Sequence, residues 1–175
     1  MYTISGERPE DGPAIEAILD RAFGSERRRK ASYRFRDHVA PEPRLSLVAR
    51  DRGGAAVGTI RFWPLDVATA AATRPALLLG PVAVEPELKG QGIGRALIRA
   101  GLARATRAGH RLVLLVGDAA YYAPFGFEPA AQHGFVMQGE DPARLMALAL
   151  VPNALAGGGM LVARRSVRRG VRRAA

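Results

Sequence analysis

The sequence predicts an α/β fold built on a mixed β-sheet, and three observations carry that expectation. Two β-suited runs, Leu45 to Arg50 and Ala56 to Phe62, flank Asp51-Arg52-Gly53-Gly54, a set of residues suited to a hairpin turn. An apolar run, Leu77 to Val84, precedes an amphipathic helical run, Gly92 to Ala108, and a further run of strand formers, Leu112 to Val116, follows it. Strands that first pair as a hairpin and then alternate with helices require both antiparallel and parallel neighbours in one sheet. A chain of 175 residues is one domain's worth, long enough to lay helices on both faces of such a sheet.

Taken in order, Tyr2 to Ser5 alternates as a short strand does. Glu10-Asp11-Gly12-Pro13 opens a helix, with acidic residues at its positive end and a proline tolerated in its first turn. Ile15, Ile18, Leu19, Ala22 and Phe23 recur at helical spacing, and Gly24 closes the helix. Glu26 to His38 is charged and predicts a second helix, ended by Pro41 and Pro43. Residues 66 to 76, rich in alanine and threonine, predict a connecting loop. Gly80-Pro81 must interrupt the ladder of the 77–84 strand and predicts a bulge there. In the helix that follows, Ile93, Leu97, Ile98 and Leu102 share one side and Gly109 marks the stop. Leu145 to Val151 and Met160 to Ala163 are the remaining expected strands. Residues 1–163 are expected to form a single domain and residues 164–175 a basic extension.

Composition narrows the classes. Hydrophobic residues make up 48% of the chain, ordinary for a globular protein. No window approaches the roughly 18 consecutive apolar residues of a membrane span, and the first residues lack the basic and apolar regions of a signal peptide, so a cytoplasmic location is expected. The sequence has no cysteine, which rules out disulfides, thiolate nucleophiles and cysteine-ligated metals, and no metal is expected. The formal charge of +10 invites a nucleic-acid reading. Six arginines (164, 165, 168, 169, 172 and 173) stand in the last twelve residues, however, and without these six the +10 falls to +4. The tail is read as a solvated extension, with contact to an acidic partner as the alternative.

The chemistry-bearing stretch is strand, turn, glycines, helix: the run to Val84, then Glu85-Pro86-Glu87-Leu88, then Lys89-Gly90-Gln91-Gly92-Ile93-Gly94-Arg95. Three glycines in five residues at a helix start let a ligand approach the backbone, where the free N–H groups of the first turn and the helix dipole suit an anion such as phosphate. A Walker A loop would need Gly-Lys followed by Ser or Thr, and here Lys89 precedes the glycines. A dinucleotide fingerprint would need a third glycine where Arg95 stands.

The stretch instead resembles motif A of the GNAT superfamily, the GCN5-related N-acetyltransferases, with lysine in place of the usual first Gln or Arg. Tyr121-Tyr122-Ala123-Pro124-Phe125-Gly126-Phe127 resembles the Tyr-x-x-x-Gly-Phe ending of the same family, at the spacing of one helix and one strand. The two motifs cover about residues 76 to 129. The resemblance implies a GNAT-like fold, a mixed, mostly antiparallel central sheet flanked by helices on both faces, and acetyl-CoA as co-substrate. It implies that Val82, Ala83 and Val84 meet the pantetheine arm, with the Val82 and Val84 backbones pairing to it as to an extra strand. It also implies that Lys89, Gly90, Gln91, Gly92, Ile93, Gly94 and Arg95 hold the pyrophosphate. Many relatives carry an asparagine some seven residues before the tyrosine. Leu115 stands there in this chain, so that contact is not carried over. Asp118 either replaces it or caps the short helix holding the tyrosines, and the cap is preferred.

By the same resemblance the reaction is direct attack of a neutral amine on the acetyl thioester, with Tyr122 as the general acid and Tyr121 in a packing role. No general base is legible: Glu85 and Glu87 read as solvated turn carboxylates, and His38, His110 and His133 as structural. Arg27 to Arg29 and Trp63 are expected in the acceptor pocket from fold position. The expected partner is an amine-bearing acceptor, small molecule or protein, and a homodimer is common in the superfamily. The competing readings are an acyl-CoA sensor without catalysis and a nucleic-acid or ribosome-associated protein using the arginine tail.

Overall fold

The computed structural model describes residues 1–29 and 31–164, and the rest of the arginine-rich tail lies outside them. The long antiparallel pair β3 (Ala56–Ala68) and β4 (Thr73–Val84) forms the middle of the sheet. On one side β3 pairs with β2 (Leu47–Arg50), which pairs with β1 (Thr3–Gly6). On the other side β4 runs parallel to β5 (Leu112–Val116), and β5 continues through β8 (Leu145–Ala149) to the short β6 (Glu128–Pro129). The strand order is β1-β2-β3-β4-β5-β8-β6. Beyond β2, the far end of β3 is flanked by β9 (Gly159–Ala163), which carries β7 (Phe135–Val136) alongside it. The sheet is mixed and mostly antiparallel, as expected.

Helix α1 (Gly12–Phe23) lies on one face, where Ile15, Ile18 and Leu19 bury against Val48 and Ala83. Helix α2 (Ile93–Arg107) lies on the other, where Ile93, Leu97 and Ile98 pack on Leu47, Ile60, Phe62 and Leu79. Side chains alternate across a strand, so Leu77 and Leu79 face the α2 layer and Leu78 the opposite side, and beyond the register shift at Gly80-Pro81 the parity is reversed, so that Ala83 faces α1. Gly24 at φ 78° ends α1 and Gly109 at φ 81° follows α2, as the sequence predicts. Among the described residues no helix is long and apolar enough to cross a membrane.

Two expectations need correction. Glu26 to His38 is not a second α-helix but a pair of 3-10 turns, Ser25–Arg29 and Ala31–Phe35. Its buried residues, Arg27, Ser32 and Phe35, are spaced by five and then three positions, which no single α-helical stripe supplies. Tertiary contacts set the conformation: Arg27 turns in to Glu16 and Asp20 of α1, and Phe35 joins a cluster with Leu65, Val67 and Leu78. The loop expected at 66–76 is instead strand on both sides of a four-residue turn. Val67 and Ala76 are buried, cross-strand pairing continues to Ala68↔Thr73, and the Thr69 hydroxyl accepts from the Ala71 and Ala72 amides to close the turn. Burial of alternate residues outweighs the loop-like composition.

The expected irregularity at Gly80-Pro81 is present. The β3–β4 register shifts between Ile60 and Phe62, which face Val82 and Leu79, and Gly80 takes φ 124°, a conformation that a side chain would strain. Parallel pairing of β4 with β5 stops at Leu78↔Leu114, just before this bulge. From there the two strands part.

Candidate active site

The gap left by that parting is a cavity of about 530 Å³. One wall is β4 from Leu78 to Val84. The bonding pattern decides which of its backbone groups are free. The Glu85 N–H donates to the Val57 carbonyl, so the alternation of an antiparallel ladder directs Ala83 toward β3 and directs the N–H and C=O of Val82 and Val84 away from it. Among the described residues no strand takes up the far side of β4 here. An extended ligand can therefore meet Val82 and Val84 as an added strand would.

Below that edge lies the start of α2. Gly92 is its first flanking residue, at φ 80° and without a side chain to cap the turn, and the first intrahelical bond runs from the Ala96 amide to the Gly92 carbonyl. The amides of Ile93, Gly94 and Arg95 are thus left without helical acceptors, and the helix dipole favours an anion there. Lys89 and Gly94 face the cavity. Gly90, Gln91, Gly92 and Arg95 lie outside its wall and are exposed, while the Ile93 side chain is buried in the core. A Cβ on Gly94 would sit 3.0 Å from the Tyr121 hydroxyl and 3.6 Å from Val84, so a side chain here would crowd the tyrosine and narrow the approach.

The opposite wall follows β5. Gly117 and Asp118 lead into the one-turn helix α3 (Ala119–Tyr122), and the Asp118 carboxylate accepts from the Tyr121 amide at 3.1 Å, the predicted cap. Both tyrosines reach the cavity. Tyr122 packs edge-on against Phe127, with ring centroids 5.8 Å apart, and against Tyr121 at 5.0 Å. A side chain on Gly117 would collide with the Tyr122 ring. Burial, and secondarily Tyr121, pushes the Tyr122 phenol up to about 12, so it holds its proton at neutral pH. Tyr121, expected to serve packing alone, is 38% exposed and hangs its hydroxyl over Gly94, so it is a wall of the cleft as well.

The third wall comes from the 3-10 turns, with Arg27, Tyr33 and Arg36, and from Glu140 and Arg144 ahead of β8. Of the residues expected in the acceptor pocket, Arg27 is there, whereas Arg28, Arg29 and Trp63 are not part of the wall. Trp63 stands behind it, its indole N–H donating to the Gly80 carbonyl at 2.7 Å. Burial works to lower the Arg27 guanidinium, but hydrogen bonds and charge from Tyr33 and Glu16 outweigh it and hold Arg27 above the ordinary arginine range. Tyr33, Arg36 and Glu140 were not singled out from the sequence. The one available signal was aromatic residues interleaved with arginines in a segment of no clear amphipathic period. Glu85, expected to be solvated, is clamped by both donors of Arg21 at 2.9 and 2.6 Å and faces away from the cavity. His133 pairs with Glu128. No group of three or more His, Asp and Glu among the described residues could hold a metal ion.

A sheet opened between two parallel strands above a glycine-rich helix start offers an edge for an extended arm and amides for its phosphates, the features the resemblance to an α/β acyltransferase implies. Comparison with known proteins agrees. Residues 5–130 match the family model for the acetyltransferase (GNAT) domain. The chain is 36% identical over 130 residues to the uncharacterized N-acetyltransferase YhbS of Escherichia coli (strain K12), covering 74% of this chain and 75% of that one. The crystal structure of E. coli YhbS in complex with CoA superposes with a TM-score of 0.79 at 31% identity, over 93% of this chain and 89% of that one. A GNAT family acetyltransferase from Brucella melitensis, in complex with acetyl-CoA, gives 0.69 at 31% identity, over 95% and 97%. The chain belongs to the GNAT acetyltransferase family.

Proposed function

We propose that this protein transfers an acetyl group from acetyl-CoA to a primary amine held in the same cleft. The observation that carries the reading is the unpaired Val82–Val84 edge facing Tyr122 across the cavity, with the α2 amides at its base. The complexes of two relatives with CoA and acetyl-CoA support it. The fit rests on this chain's own features: the edge accepts an extended arm, and Gly94 leaves a space that a Cβ would fill.

Bound acetyl-CoA supplies the activated acetyl thioester. The Val82 and Val84 backbones orient its arm, and the amides of Ile93, Gly94 and Arg95, with Lys89 nearby, meet its diphosphate. With no cysteine in the chain, the amine attacks directly rather than through an enzyme thioester. Tyr122 lines the same cavity, and by the family resemblance its hydroxyl would stand near the sulfur, where thiolate charge develops. Attack forms the C–N bond and breaks the C–S bond, the amine's proton passes to solvent, and the Tyr122 phenol, kept protonated by burial, would donate a hydrogen bond to the departing thiolate. The reading places the enzyme with its co-substrate in the cytoplasm.

Calorimetry with acetyl-CoA tests the binding half. Gly94→Val should weaken affinity at least about tenfold while the protein stays folded, because the branch fills the approach to the backbone. Unchanged affinity in a folded variant sinks the reading. Thiol release with a panel of amines then separates a transferase from a protein that only binds acyl-CoA.

A further inference from the structure

We infer that the acceptor amine carries a carboxylate close to its amino group and that Arg36 holds that carboxylate. This inference rests on the transferase reading above. Arg36 forms part of the acceptor-side wall and lies against the β4 bulge, with Nη2 3.6 Å from where a Cβ on Gly80 would stand. Two aromatic rings engage its guanidinium: Cζ is 4.3 Å from the Tyr33 centroid and 5.8 Å from that of Trp63. Such contacts use the flat faces of a guanidinium, and although the Tyr33 hydroxyl also engages the group, the buried Nε is left for another partner.

Neighbouring arginines show what is missing. Arg27 has Glu16 and Asp20, and Arg61, on the same face of β3, has Glu7 and Glu16. Among the described residues no carboxylate pairs with Arg36, and its buried Nε has no acceptor. Burial lowers the group to about 10, which still leaves it cationic at neutral pH. A largely desolvated cation without a counter-charge is costly to maintain, and in a cleft that arrangement marks a place where a ligand supplies the anion. A planar carboxylate can accept two parallel N–H bonds from a guanidinium edge. Glu140 on the same cavity wall supplies a negative charge for an ammonium group. A wall that carries both signs fits an amine with its own carboxylate, such as an amino acid.

The test titrates the CoA-loaded full chain, in which no transfer can occur, by calorimetry. The probes are α-amino acids with small, apolar, acidic and basic side chains, each beside its decarboxylated amine, and phosphoethanolamine as the phosphate-bearing counterpart. CoA affinity is measured first for the wild type and for Arg36→Gln and Arg36→Lys. At least one amino acid should bind the wild type about tenfold or more tightly than its decarboxylated partner. Arg36→Gln should abolish that preference and Arg36→Lys should keep part of it, because lysine retains the charge and loses the fork. Equal binding within every pair, binding of no amino acid, a preference that survives in Arg36→Gln, or tighter binding of phosphoethanolamine each overturns the inference. If Arg36→Gln fails to bind CoA, the paired probes on the wild type and Arg36→Lys decide. Loss of CoA binding by the wild type itself sinks the transferase reading instead, so the two failures are distinguishable.

Discussion

At the scale of single residues, the two adjacent tyrosines hold different places and should fail differently. Tyr122 is packed between Phe127 and Tyr121 and keeps its proton, while Tyr121 is open to solvent above Gly94. Tyr122→Phe preserves the ring contacts and removes the donor. A hydrogen bond to a charged group contributes about 1.5–3 kcal/mol, so kcat should fall about 10- to 10²-fold with acetyl-CoA affinity unchanged. Tyr121→Phe should raise KM for acetyl-CoA a few-fold at most and leave kcat intact, since its hydroxyl borders the co-substrate's path. Steady-state kinetics on both variants checks this, and a larger loss of kcat in Tyr121→Phe would reverse the assignment. Gly117 belongs to the same unit, because the Tyr122 ring occupies the space its side chain would need.

Between elements, an ionic contact adds to the apolar packing of α1 on the sheet. Asp11, just before α1, accepts from both terminal nitrogens of Arg50 on β2 at 2.9 and 2.6 Å and from the Arg8 amide at 2.7 Å. The Arg50 hydrogen bonds, opposed by burial, hold the Asp11 carboxyl below its ordinary value of 3.8. A lowered folded-state pKa contributes stability above the unfolded value, and that stability is lost as pH falls through the folded one. Asp11→Asn should therefore cost about 1.5–3 kcal/mol at pH 7, read as a lower urea midpoint. The gap between variant and wild type should narrow as the pH is lowered from 5 to 3. A gap that stays constant over that range would mean that the substitution costs packing rather than charge.

For the whole molecule, the open question in the sequence was its charge. The tail was set apart from residue 164, yet the Arg164 guanidinium is bonded to Asp66 on β3 at 2.8 and 3.1 Å, so this arginine belongs to the folded body. Residues 165–175 lie outside the described structure. Deleting them should leave CoA affinity and the melting temperature unchanged, because both motifs end before them and they carry charge rather than an apolar core pattern. A gel shift with the full chain, steeply weakened by salt and abolished by the deletion, would show that the tail contacts nucleic acid independently of the cleft. Unfolding of the truncated chain would show instead that the tail is structural.

Local chemistry made much of this protein legible in its sequence. The β-suited runs of β2 and β3 on either side of a turn, the stripe of Ile93, Leu97 and Ile98, the interruption at Gly80-Pro81 and the spacing from Gly90 to Tyr122 are short-range patterns. Each follows from the backbone's own geometry and from which side chains must leave water. Those patterns place the mixed sheet, the glycine turn and the tyrosine helix. The acceptor side was decided only in three dimensions. Arg36, Tyr33 and Glu140 come from segments without a clean period, and they meet because Arg27 and Phe35 anchor irregular turns to α1 and the sheet. Strand extension across 66–76 was likewise settled by pairing with β9 and by burial of Val67 and Ala76. Propensity is a property of neighbours along the chain, whereas an unpaired cation in a cleft depends on which charges fail to meet in space, and that is set by the packing of distant segments.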